Sequence, residues 1–276
     1  MNMNVEVFII ILISGLAFGS FVNAFVWRVR KQEKSKSKKY SILTGRSMCP
    51  DCGHKLSAID LVPIFSWLFL RGRCRYCHRP ISVQYPIIEA VTSTLFVLSY
   101  IYWPYAFNHQ GVTYFVIWLI LLVNLIALAV YDIKWMLLPN KILYPLYALV
   151  VIQILATLIF FNGSLHYLLN SLLGMLIGGG VFYILFQVSD GKWIGGGDVK
   201  LGALLGLFLG GGINAILLIF FASVIGSVYS GVLILLGKLD RKAVVPFGPF
   251  LVTSTIILTL FGSSIVSWLN TIGLNV

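Results

Sequence analysis

Two aspartates stand where a carboxylate is expensive to keep. Asp132 closes the apolar run Val112–Val130, and Asp198 follows Gly195-Gly196-Gly197 and leads into the apolar stretch Val199–Leu209. An ionisable residue at the edge of a membrane segment is a functional candidate by default. The chain has only nine acidic residues, so two at segment ends are informative. Two carboxylates that share one proton act as base and acid at once. The ionised one takes a proton from water, which attacks a peptide carbonyl. The protonated one polarises that carbonyl and then helps protonate the leaving amine. Gly195 and Gly197 would let a substrate backbone approach or let the turn bend; helix packing is their competing explanation. Each aspartate also has a structural reading, Asp198 as a helix N-cap with Lys200 close by and Asp132 as a neighbour of Lys134.

The second constellation is sulfur. All four cysteines fall in Cys49-Pro50-Asp51-Cys52 and Cys74-Arg75-Tyr76-Cys77, two matched knuckles with 21 residues between them. Four thiolates so arranged can meet a tetrahedral zinc ion, and nearby Lys and Arg favour deprotonated sulfur. A four-cysteine site has no open coordination position, so this zinc is expected to stabilise a fold and not to catalyse. His54 and His78 flank the knuckles and are expected to be ordinary loop histidines. Between the knuckles runs Ile59-Asp60-Leu61-Val62-Pro63-Ile64-Phe65-Ser66-Trp67-Leu68. It is apolar enough to form a small core or to rest on a membrane surface.

The elements that must position these groups are membrane helices. Hydrophobic residues make up 59% of the 276 and charged residues 11%, which excludes a soluble globular protein. Eight segments are expected, at about residues 6–28, 85–103, 112–131, 141–161, 167–187, 199–211, 213–237 and 247–269. The first apolar run, Val7–Trp27, is too long for a signal-peptide core and has no basic residue before it, so it reads as a retained helix. The expected class is therefore an all-α polytopic membrane protein with about eight transmembrane helices and a zinc-binding loop, 29–84, between helices 1 and 2. With that loop placed in the cytoplasm, all twenty Lys and Arg residues fall on the cytoplasmic side, as the positive-inside rule requires. Both termini are then non-cytoplasmic, and Asp132 and Asp198 share the cytoplasmic side. The basic stretch Arg28–Lys39 reads as an anchor to anionic lipid. It lacks the aromatic stacking pattern of a nucleic-acid site.

Taken together, these residues resemble the type IV prepilin leader peptidases, membrane aspartic proteases with a Gly-x-Gly-Asp motif. The likeness spans nearly the whole chain: Gly15-Leu16-Ala17-Phe18-Gly19-Ser20-Phe21-Val22-Asn23, the tetracysteine loop, Tyr85-Pro86-Ile87-Ile88-Glu89, Asp132 with Leu138-Pro139, Gly195-Gly196-Gly197-Asp198-Val199-Lys200-Leu201, and Pro246-Phe247-Gly248-Pro249-Phe250. The resemblance implies removal of a short basic leader from prepilins or pseudopilins at the cytoplasmic face. It also implies N-methylation of the new N-terminus with S-adenosylmethionine. It makes Asp132 and Asp198 the catalytic pair, with Gly195, Gly197 and Lys200 in support. It divides the chain into a methylation-associated part at 1–103, with Asp60 and Glu89 as candidate substrate or methyl-donor contacts, and a peptidase part at 104–276. Two positions depart from the family pattern: Asn140 stands where an acid is common, and Lys192 where Glu or Gly is common. A basic leader facing so basic a loop also calls for lipid or a carboxylate between them.

Three other readings remain open. A presenilin-like protease would suit Tyr131-Asp132 and Gly-x-Gly-Asp, but it lacks a tetracysteine loop and has a Pro-Ala-Leu motif near its last helix. An ion-coupled transporter could use the two aspartates as proton carriers, although no internal repeat is evident and they lie near segment ends. A zinc-ribbon membrane scaffold would leave both aspartates dispensable.

Overall fold

The computed structural model describes residues 5–35, 45, 47–161, 163–240 and 243–273. Of the basic residues in the charge map, Lys36, Lys38, Lys39, Arg46, Arg241 and Lys242 lie outside the described residues. The described chain is helical, and its extended pairing is limited to two isolated bridges. The helices are α1 (Val5–Ser35), α2 (Phe65–Phe69), α3 (Gln84–Ile101), α4 (His109–Trp135), α5 (Asn140–Phe160), α6 (Leu165–Val188), α7 (Gly196–Leu209), α8 (Gly212–Leu235) and α9 (Gly248–Thr271), with a 3-10 turn at Ile59–Leu61. Besides the five-residue α2, eight helices among the described residues correspond to the eight expected segments. Six of them, α1, α4, α5, α6, α8 and α9, are long and apolar enough to cross a bilayer. The protein is an integral membrane protein. The chain forms two compact units, Met1–Trp103 and Pro104–Val276.

In the first unit α1 packs on α3. The contact rests on glycine spacing: Gly15 and Gly19 are one turn apart, so both face the same neighbour. A Cβ added at Gly15 would lie 2.5 Å from Ser93 Cα, and one at Gly19 would lie 2.6 Å from Glu89 Cα. Only bare backbone permits that approach, the usual device for joining helices in lipid. Polar groups then lock the pair. Ser93 Oγ donates to the Leu12 carbonyl at 2.8 Å, and Asn23 Nδ2 donates to the Tyr85 carbonyl at 3.2 Å.

In the second unit α4 buries one long face. Trp118, Leu121, Leu122, Leu125, Leu128 and Tyr131 are wholly inaccessible, at three- and four-residue spacings that place most of them on one face. Short α7 is surrounded by α5, α6, α8 and α9. Its closest partner is α6, again through glycine. Gly174 meets Gly206 and Gly178 meets Gly202, backbone against backbone, and a Cβ at Gly178 would sit 2.5 Å from the Gly202 carbonyl oxygen.

Candidate active site

Asp132 lies in the last turn of α4 and is 5% exposed. Met136 ends the helix in the left-handed region (φ 51°), and its N–H donates to the Asp132 carbonyl at 2.7 Å. That closure turns the chain away while Asp132 stays within the helix. Its carboxylate Oδ2 accepts the N–H of Gly248, the first residue of α9, at 3.0 Å.

Asp198 is not the N-cap that its place after three glycines suggests. Gly195 is the N-cap, extended at φ −76° and ψ 148°, and α7 begins at Gly196. Asp198 is therefore the third helical residue. Its backbone N–H donates to the Gly195 carbonyl at 3.0 Å, and its Oδ2 lies on the Gly195 side of the turn, 3.5 Å from where a Gly195 Cβ would sit. An acidic residue at this third position is favoured by the dipole of its own helix. The charge of Asp132 acts on Asp198, so the end of α4 and the start of α7 bring two carboxylates into electrostatic reach.

Gly197 and Gly195 do different jobs. A Cβ at Gly197 would come within 3.0 Å of the Leu138 side chain. Gly197 therefore admits the loop that follows α4, and with it the segment bearing Asp132. At Gly195 a Cβ would meet Asp198 Oδ2 at 3.5 Å and Gly197 N at 3.9 Å, both ordinary contacts. Lys200 does not turn to the aspartates: its Nζ donates to Asn140 Oδ1 at 3.0 Å, and Tyr147 Oη donates to its carbonyl at 2.7 Å. Asn140, which departs from the family pattern, thus gives Lys200 a neutral partner. Lys134 lies over the Trp135 ring at 5.7 Å.

In the first unit the four cysteine sulfurs all lie within 4.8 Å of one another. The knuckles are built alike. Cys49 N–H donates to the His54 carbonyl and Cys74 N–H to the Arg79 carbonyl, both at 2.9 Å. Each knuckle then turns through a left-handed residue, Gly53 at φ 70° and His78 at φ 56°. Cys49 Sγ and Cys77 Sγ are 3.9 Å apart. A tetrahedron with metal–sulfur bonds of about 2.3 Å has edges of about 3.8 Å, so the sulfurs fit one zinc ion. Burial pushes the Cys49 thiol up to about 12; a bound cation is what makes thiolate favourable there. His54 stacks on Tyr76 at 3.7 Å, outside the sulfur cluster.

Asp60 and Glu89 are both engaged inside this unit. Asp60 Oδ1 accepts Arg75 Nε at 2.7 Å, and Oδ2 accepts the Ser57 amide, the Ser57 hydroxyl and Tyr76 Oη. Glu89 is 5% exposed within α3, and its Oε2 accepts the Ile64 amide at 2.7 Å. Ile64 sits at φ 60°, ψ −53°, with Phe65 N–H donating to the Pro63 carbonyl at 2.6 Å. This is the rare, strained form of γ-turn, costly for a β-branched residue. Sequence reading missed this turn and missed Gly248 as a neighbour of Asp132. Only the Phe247-Gly248-Pro249 run before the last helix could have signalled the latter.

Residues 13–103 match the Bacterial Peptidase A24 N-terminal domain, and residues 119–231 match the Type IV leader peptidase family. The chain is 32% identical over 260 residues to a Prepilin leader peptidase/N-methyltransferase of Bacillus subtilis, covering 94% of this chain and 96% of that one. A protein of the same description from Dichelobacter nodosus is 30% identical over 275 residues, covering 91% and 90%. One from Vibrio cholerae is 36% identical over 203 residues, covering 70% and 74%. No solved structure matches at a significant level. With relatives at or above 30% identity aligned over nine-tenths or more of their length, the chain belongs to the type IV leader peptidase family.

Proposed function

We propose that this protein is a prepilin leader peptidase that cleaves through Asp132 and Asp198 at the cytoplasmic face of a bacterial cytoplasmic membrane. The carrying observation is that the end of α4 and the start of α7 place two carboxylates in electrostatic reach within an acid-poor membrane unit. The ionised carboxylate takes a proton from water, and the hydroxyl adds to the carbonyl carbon of the bond after the leader. The protonated carboxylate hydrogen-bonds the carbonyl oxygen. Collapse of the tetrahedral species breaks the C–N bond. The departing nitrogen takes a proton from the pair, leaving a new carboxyl on the leader and a new amine on the mature protein. One proton remains on the pair, ready for the next water.

The substrates of this reading are type IV prepilins or pseudopilins, in keeping with the descriptions of the relatives. The clustering of Lys and Arg supports the orientation, with both termini non-cytoplasmic, and anionic lipid is the surface that the basic stretch after α1 would meet. Cys49, Cys52, Cys74 and Cys77 hold a structural zinc. N-methylation of the new amine from S-adenosylmethionine belongs to the same reading, supported by those descriptions. No strand–glycine loop–helix cradle for the donor occurs among the described residues. Asp60 and Glu89 serve methylation in this reading by holding the loop that would receive donor and amine.

The test is cleavage of a synthetic prepilin by purified enzyme in detergent, repeated with Asp132→Asn and Asp198→Asn. Both variants should lose cleavage. Cleavage that survives either substitution sinks the pair, and no cleavage by the unaltered enzyme returns the transporter and scaffold readings. Labelled S-adenosylmethionine should leave label on the mature N-terminus; efficient cleavage without label would leave a peptidase alone.

A further inference from the structure

Gly248 is where α9 meets Asp132, and the first turn of α9 is arranged around that one amide. Pro249 follows and has no N–H to offer. The Phe250 and Leu251 amides turn back to the Phe247 carbonyl at 3.0 and 3.2 Å. Gly248 N–H is the first-turn donor that leaves its own helix, and it meets Asp132 Oδ2 at 3.0 Å. The position also excludes a side chain: a Cβ on Gly248 would lie 2.7 Å from Asp132 Oδ2 and 3.3 Å from Asp132 Cγ.

The two aspartates start from opposite electrostatic positions. Asp198 stands in the first turn of its own helix, where the dipole favours a carboxylate. Asp132 stands in the last turn of α4, where the dipole opposes one. What α4 denies it, the N-terminus of α9 supplies. We propose that Gly248 is a positioning residue for the cleavage reaction: its amide fixes the Asp132 carboxylate, and the start of α9 provides the positive potential that the end of α4 lacks. Each aspartate then stands at a helix start, Asp198 at its own and Asp132 at a borrowed one. The proposal rests on the reading of Asp132 and Asp198 as the reacting pair.

The experiment uses the full chain in detergent with a synthetic prepilin peptide and a hydroxyethylene peptide that imitates the tetrahedral species. Gly248→Ala should lower kcat at least 30-fold with KM within twofold, and should weaken the hydroxyethylene peptide in parallel with kcat. Gly226→Ala is the comparison, because its Cβ would press on the Phe250 ring of the same helix at 2.9 Å without touching Asp132. It should lower Tm and cost kcat far less than Gly248→Ala does. Where Gly248→Ala fails to fold, semisynthetic replacement of Gly248 by glycolic acid removes the N–H and adds no bulk; it should lower kcat in the same way. Unchanged kcat in the glycolic-acid protein, or an equal kcat loss in Gly248→Ala and Gly226→Ala, overturns the proposal. Cleavage by Asp132→Asn or Asp198→Asn would instead remove the pair itself, and this proposal with it.

Discussion

Gly202→Ala tests whether the α6–α7 glycine contact sets the position of Asp198. Gly202 lies one helical turn from Asp198 on α7. A Cβ there would sit 2.6 Å from the Gly178 carbonyl oxygen and 2.5 Å from Phe182 Cδ2. Neither neighbour can yield easily. The first is helix backbone, and Phe182 is only 2% exposed. Ordinary contact begins at 3.4 Å, so α7 must move from α6 by about 0.8 Å. Overpacking of that kind costs about 1–3 kcal/mol. A reacting group displaced by roughly 1 Å can lose about 10²-fold in rate, so a 10- to 100-fold fall in kcat is expected alongside a lowered Tm. Gly180→Ala on the same glycine-rich stretch of α6 is the internal comparison, because its Cβ would meet nothing within 4 Å. It should match the unaltered enzyme in both readouts. The assay is single-turnover cleavage of a synthetic prepilin, normalised to folded protein. Undiminished cleavage by Gly202→Ala would refute the argument that this contact places Asp198. So would an equal loss in Gly180→Ala.

Other expectations concern the first unit. Metal analysis should find about one zinc per chain, and replacing all four cysteines with serine should remove it; metal retained in that variant would defeat the assignment. Burial works against ionised Asp60, but the Ser57, Arg75 and Tyr76 donors outweigh it and hold its carboxyl down at about 2, against 3.8 for the unperturbed group. A depressed carboxyl stabilises the fold above its unfolded value and loses that contribution as pH falls through the folded one. Asp60→Asn should therefore cost most above about pH 4, with the Tm gap to the unaltered protein closing toward pH 2. A gap independent of pH would contradict the ionic role. Removing the acceptor in Glu89→Ala leaves the Ile64 amide without its partner at a strained turn, at a cost of about 1–3 kcal/mol. Proteolysis near residues 62–70 should speed up, whereas Glu89→Gln, which keeps a carbonyl acceptor, should resemble the unaltered protein. Equal cleavage of the two variants would detach Glu89 from the turn.

What the sequence made legible was periodic or compositional. Eight apolar runs became eight helices because a bilayer demands continuous hydrogen-bonded backbone, and two matched cysteine knuckles in one loop are legible because each presents a thiol pair to the same ion. Helix ends were less legible. Asp198 read as an N-cap because Gly195, Gly196 and Gly197 look like a turn, yet two of those glycines are already helical. Glycine tolerates both states, and nothing local decides between them. The bond from Gly248 to Asp132 spans 116 residues, beyond any sequence window. Asp60 and Glu89 stood out as lone acids in apolar surroundings. Their acceptors are met by Ser57, Arg75, Tyr76 and the Ile64 amide, partners that only the folded loop assembles.

The shortness of α7, which looks like a defect in a membrane helix, is what allows it to present Asp198. A helix of 14 residues is about 21 Å long, less than a bilayer core, so its lower end would leave polar backbone at depth. The structure satisfies that end. Gly210 and Gly211 turn the chain at φ 64° and 74°. Asn214 Nδ2 donates to the Leu209 and Gly210 carbonyls at 3.2 and 2.9 Å, and Gly211 N–H donates to the Asn170 carbonyl at 2.8 Å. With those groups paired, irregular backbone is tolerable inside protein. The helix can then be enclosed by α5, α6, α8 and α9, with glycine against glycine along α6. A helix tied at its far end and flush against its neighbour has little freedom to slide or turn. Its first turn inherits that rigidity, which the proposed pairing of Asp198 with Asp132 calls for.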